Sequence, residues 1–241
     1  MSKNTRRDIL RTTAGAGSIA LISWFGPRAN AAGADSLAPQ AVASRTFSYF
    51  TAAEITFIDA AVSRLIPSDE LGPGAKEAGV TFFIDQQLAG SFGRAETWYM
   101  QGPWKEGTPG QGYQLKLTPA QLYRVGIQGI DDYCQRTFNK KTFAELGAGD
   151  QDKTLHGLEK GEIELAGAPA KEFFAMLWQN TNEGFFVDPI YGGNHNFAGW
   201  KLIGFPGPRY NYVNEIEQYG KPYTLPTVGL MGRNGTPVRK G

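Results

Sequence analysis

The chain is 241 residues long with a formal net charge of +1, and 20% of its residues are charged. It holds one cysteine, Cys134, and two histidines, His156 and His195. That inventory excludes an intramolecular disulfide, a Cys-ligated iron–sulfur cluster and a C-x-x-C-H haem c attachment on this chain. No long basic run gives nucleic acid a footprint, and the H-E-x-x-H, G-x-S-x-G and P-loop patterns are all missing.

The first residues run Thr5-Arg6-Arg7-Asp8-Ile9-Leu10-Arg11, followed by a weakly apolar stretch from Thr12 to Phe25 and the small-x-small site Ala29-Asn30-Ala31. A positive segment, a short apolar segment and a cleavage site in that order define a secretory leader. The pair Arg6 and Arg7 points to the twin-arginine route, with the Tat translocase as a partner and the periplasm as the destination. The apolar stretch is shorter than the ~20 residues a membrane span needs. Gly15-Ala16-Gly17-Ser18-Ile19-Ala20 matches a dinucleotide fingerprint by letter, but no strand–helix context surrounds it. Segment 1–31 carries Lys3, Arg6, Arg7, Arg11 and Arg28 against Asp8, or +4, which leaves −3 of the chain's +1 for residues 32–241.

Residues 32–49 are small and polar and read as a flexible linker. A helix starts at Thr51, where Thr51 and Glu54 form a capping box and Phe50 and Ile55 a hydrophobic staple. Its apolar face is Ile55, Ile58, Val62 and Leu65, and Pro67 ends it. A second helix is predicted from about Lys76 to Leu88, stopped at Gly90. Residues 91–114 have no period and hold Trp98, Tyr99, Trp104 and Tyr113, a long aromatic loop of the kind that binds something. Thr118, Pro119 and Gln121 repeat the helix-start signal, with Leu122, Val125, Ile130 and Tyr133 inward and Cys134 beside them as a small buried hydrophobe. Further helices are predicted over 150–160, ended by Gly161 and carrying a solvent-facing or structural His156, and from Pro169 to about Asn182. Residues 184–209 show no helical period, and Glu215–Tyr219 hint at one turn. Strands are scarce. The fold class is mainly α: a small helical domain over 50–210, with aromatic and Gly/Pro-rich loops and an extended arm over 211–241.

Within 184–209, Asp188-Pro189 favours a turn in which the carboxylate accepts a backbone donor two residues on. Gly192-Gly193-Asn194 permits three consecutive positive φ values. Tyr191 and Trp200 flank it. The segment is either a loop packed by its own aromatics or a docking surface.

The run DPIYGGNHNFAGWKLIGFPGP over 188–208 resembles the small subunit, subunit 3 or gamma, of membrane-bound gluconate 2-dehydrogenase and its sugar and polyol relatives. The Thr51…Glu54 start, Arg64-Leu65-Ile66-Pro67 and the stretch Gly72 to Val80 are similar to that family too. The resemblance spans about 50–208, and the tail beyond Arg209 lies outside it. It implies a non-catalytic subunit that binds a large FAD-containing dehydrogenase subunit and assists its maturation and export. A multihaem cytochrome c subunit would pass electrons onward, with FAD and haem c carried by those partners and no cofactor on this chain. A folded flavoprotein without a leader of its own would cross bound to one that has it. Such an interface, ~2,000 Å² or more and rich in aromatics, would draw on Trp98, Tyr99, Trp104, Asp188, Tyr191, Gly192, Gly193, Asn194 and Trp200. Two other readings stand beside it. One is a stand-alone periplasmic sugar-acid-binding protein using Trp98, Trp104 and Asp188. The other is an enzyme using Asp69, Glu70, Asp188 and His195 as acid–base groups.

Overall fold

The computed structural model describes residues 46–105, 107–230 and 232. The leader with Arg6 and Arg7, and linker residues 32–45, lie outside them. The described residues from Phe47 onward form one compact unit. Its described residues hold six α-helices: α1 (Ala52–Leu65), α2 (Val80–Ala89), α3 (Pro119–Thr137), α4 (Ala148–Lys160), α5 (Ala170–Phe186) and α6 (Ala198–Ile203). Five short 3-10 turns lie between and beyond them, and no strand occurs among the described residues. The domain is mainly α.

Helix α5 is the hub and packs on each of the other five. Its inward face, Phe173, Leu177, Asn180, Thr181, Gly184 and Phe185, recurs at the three- and four-residue spacings of one helical stripe. Against it lie Phe57, Ile58 and Val62 of α1, Val80, Phe83 and Ile84 of α2, and Leu122, Tyr123 and Ile130 of α3. Tyr123 is fully buried, and its hydroxyl accepts the Asn180 Nδ2–H at 3.0 Å. Burial pushes its phenol far up from 10.0, so the ring stays neutral and serves packing.

Local signals set the helix starts. Thr51 and Glu54 cap α1 reciprocally, and Thr118 and Gln121 do the same for α3, with Pro119 at its first position. Gly161 ends α4 in the left-handed conformation. Two boundaries differ from the sequence expectation. Helix α2 begins at Val80 rather than near Lys76, because Gly79 is left-handed at φ 78°. The preceding turn is held by the Glu77 carboxylate, which accepts from Ser68 Oγ at 2.7 Å and Gly74 N at 3.1 Å. Helix α5 runs on past Asn182 to Phe186. Gly184, beyond that expected end, sits inside it, and a Cβ there would come within 2.6 Å of the Phe83 ring of α2.

The segment leading into α1 is anchored from a distance. Asp85 of α2 is fully buried and accepts the backbone N–H groups of Ser48, Tyr49 and Phe50 at 2.7, 2.9 and 2.7 Å. Arg124 of α3 adds a second hold: it pairs with Glu54, donates to Tyr49 O at 2.8 Å and lies 4.3 Å over the Tyr49 ring.

Candidate functional site

The last turn of any helix leaves carbonyls without intrahelical donors, and α5 ends inside the protein. The segment after it satisfies and covers that end. Trp200 Nε1 donates to Phe186 O at 2.6 Å, and Asn194 Nδ2 donates to Val187 O at 2.8 Å. Asn194 Oδ1 in turn accepts Gly199 N at 2.8 Å, which fixes the start of α6. The backbone closes in as well: a Cβ at Gly193 would stand 2.1 Å from Gly184 O, and one at Gly199 2.1 Å from Phe185 O. Trp200 stacks on Phe197 at 5.5 Å and meets Phe205 edge-on at 5.0 Å.

This arrangement divides the residues that the sequence offers for a partner surface. Asn194 is 0% exposed, Trp200 is 5% exposed, and Gly193 is buried. They hold the end of α5 and present no surface to a partner. Trp200 also sits on a helix, α6, that the sequence reading left as an aperiodic loop. Of the three positions given positive φ, Gly192 (93°) and Asn194 (47°) adopt it and Gly193 does not, while Asn196 and Phe197 do.

Asp188 does what its turn pattern implies and more. Its Oδ1 accepts Ile190 N at 3.0 Å, and its Oδ2 accepts Leu230 N, forty-two residues away, at 2.8 Å. The arm therefore leaves the domain at Gly204 and returns to it. Val228 N donates to Pro206 O at 3.1 Å, and Gly207, at φ 85°, lies so close to Val228 O that a Cβ would stand 1.7 Å away. Arg209 donates to Pro226 O and lies 5.4 Å over the Tyr223 ring, which Tyr212 meets at 5.9 Å. Arg209 Nε is shielded without an acceptor, a cost on the order of 1–3 kcal/mol. Residues 206–230 thus form a loop with a closed neck, clasped to the domain by one carboxylate.

The sequence reading missed what this loop displays. Among the described residues, fourteen large apolar side chains are exposed; Leu71, Tyr99 and Trp104 lie elsewhere, and the other eleven fall between Ile190 and Leu230. Tyr210 is fully exposed and Tyr219 85% exposed, and Tyr191, Val213 and Ile216 are exposed too. The available signal was a run of Tyr, Val and Ile with neither helical nor strand period, hence without a face to bury.

The aromatic loop forms a separate site. Trp98 is half-buried between Phe92 at 5.7 Å and Tyr113 at 5.0 Å. With the 80% exposed Tyr99, Trp104, Gln111 and Tyr113 it lines an open cleft of about 580 Å³. Asp188 does not line this cleft, so the Trp98, Trp104 and Asp188 constellation of a sugar-acid site is not assembled. Of the acid–base candidates, the Asp69 carboxylate accepts Leu71 N at 2.9 Å within its own turn, Asp188 serves as the clasp, and His195 Nε2 lies 3.1 Å from Gly192 O. Cys134 is buried, and His156 is exposed beside Glu159. No cluster of three or more His, Cys, Asp or Glu among the described residues has metal-binding geometry.

The family model described as Gluconate 2-dehydrogenase subunit 3 matches residues 52–207. The chain belongs to that family. The match to gluconate 2-dehydrogenase subunit 3 begins at the first residue of α1 and ends at Gly207, in the neck of the clasped loop. It covers the clamp on α5 and leaves the tip of the loop outside. The family is that of a small subunit in a dehydrogenase complex. No curated protein and no solved structure matches the chain. No helix among the described residues is long and apolar enough to cross a membrane.

Proposed function

We propose that this chain is the non-catalytic small subunit of a periplasmic FAD-dependent gluconate, sugar or polyol dehydrogenase, and that it escorts the flavoprotein subunit through the twin-arginine pathway. The observation that carries this reading is the subunit 3 family match over residues 52–207. Two others support it. The sequence opens on the twin-arginine pattern of Arg6 and Arg7, and the carboxylates of Asp69 and Asp188 are engaged in a turn and a clasp. FAD belongs to the large subunit and haem c to a multihaem cytochrome c subunit that carries electrons onward. The complex sits peripherally on the outer face of the inner membrane.

The physical case for an escort is simple. The Tat translocase moves folded proteins, so a flavoprotein has to fold around FAD before it crosses. A partner that carries the leader and stays bound supplies the address. Expressing the large subunit with and without this chain tests the reading. FAD content and periplasmic recovery of the large subunit should both fall at least tenfold without it. Equal loading and equal recovery without the chain would sink the proposal.

A further inference from the structure

We propose that the clasped loop, residues 206–230, is the element that seats in the large FAD-containing subunit. This rests on the small-subunit reading above and assigns its interface. With about 200 Å² for a fully exposed side chain of this size, the exposed fractions of the seven apolar residues from Tyr210 to Leu230 amount to on the order of 900 Å². A standard interface takes about 800 Å² from each partner, and apolar patches beyond a few hundred Å² on a protein surface mark interaction sites. The tip is rich in tyrosine, the residue enriched at interfaces for its large apolar body and polar end.

The loop is also built to hold its shape. The Asp188 carboxylate ties Leu230 to the turn at Ile190, and the neck between Pro206 and Val228 is closed by backbone contact. A closed neck lowers the entropy lost when the tip becomes ordered on a partner. The occupant is the large FAD-containing subunit: the chain belongs to a family of small subunits in a dehydrogenase complex, and such a subunit needs a surface for its larger partner.

The test is capture of the large FAD subunit by the tagged full-length chain when the two are co-expressed, read as FAD absorbance per tagged chain. The variant Tyr210→Ser/Ile216→Ser/Tyr219→Ser should keep its helical circular dichroism and capture at least tenfold less flavoprotein. Asp188→Ala, which changes no exposed apolar side chain, should reduce capture at least threefold by loosening the neck. Leu71→Ser, at an exposed apolar residue outside the loop, should capture as the wild type does. Undiminished capture by the triple variant overturns the loop assignment and leaves the escort reading intact. No flavoprotein captured by the wild type overturns both. A dimer of this chain that the triple variant dissolves would assign the loop to self-association and overturn the proposal too.

Discussion

Asp85 collects three consecutive backbone donors on one buried carboxylate, and it does so across 35 to 37 residues of sequence. A hydrogen bond to a charged group contributes roughly 1.5–3 kcal/mol, and a buried donor left without its acceptor costs a similar amount. Asp85→Asn keeps one acceptor oxygen and loses the charge, so it should lower unfolding free energy by about 2–4 kcal/mol in a urea titration. A loss under 0.5 kcal/mol would mean that water replaces the carboxylate. Nothing in the sequence marks Asp85, because its partners are main-chain groups that the fold brings to it. Cys134 is the opposite case, since its place beside an apolar helical face already reads as burial.

That burial has a titration signature. Burial and the neighbouring Asp131 push the Cys134 thiol from 9.0 up to about 12, against a lowering hydrogen bond with Thr154. Burial and Glu172 push the Tyr113 phenol from 10.0 to about 12. A proton held more tightly by the folded than by the unfolded chain stabilises the fold fully below the unfolded pKa and less above it. The urea midpoint should therefore stay level from pH 7 to 8.5 and fall between about pH 9 and 12. Cys134→Ala should remove the first part of that fall. In the native protein the thiol should resist a disulfide reagent at pH 8 and react once unfolded; rapid native labelling would show that α3 opens.

At the scale of elements, the starts of α1 and α3 were legible because a capping box lies within four residues of sequence. The helical hub was legible as an apolar stripe, except for its end. Gly184 lies just past the expected end near Asn182, and its missing Cβ lets Phe83 of α2 approach. For the segment beyond it, the sequence leaves open a loop packed by its own aromatics or a docking surface, because the bonds that decide run from side chains to carbonyls up to fourteen residues back. Gly199→Ala places a methyl 2.1 Å from Phe185 O, a clash with backbone that no rotamer relieves. It should cost about 1–3 kcal/mol or more and raise amide exchange in the last turn of α5 with α1 unaffected. Uniform exchange across the domain would instead show that the clamp is no local unit. Trp200→Phe keeps most of the ring and leaves Phe186 O without its donor, for a loss of about 1–3 kcal/mol.

For the whole molecule, the family could be read from the 188–208 run and the helical class from the apolar spacings before it, and the structure changes what that run does. Gly193, Asn194 and Trp200 in it are buried and hold the end of α5, and the exposed apolar side chains lie in Ile190, Tyr191 and the loop beyond. The aromatic cleft at Trp98 and the loop at Tyr210 are separate features, and only the second has the exposed apolar area of an interface.

In the proposed escort role, the twin-arginine segment of this chain serves the flavoprotein as well. Arg6→Lys/Arg7→Lys changes the address without touching the domain described here. Co-expressed with the large subunit, this variant should leave FAD-loaded dehydrogenase in the cytoplasm. Periplasmic dye-reducing activity per flavoprotein made should fall at least tenfold relative to the wild type. Full periplasmic activity with the double variant would contradict the escort function directly.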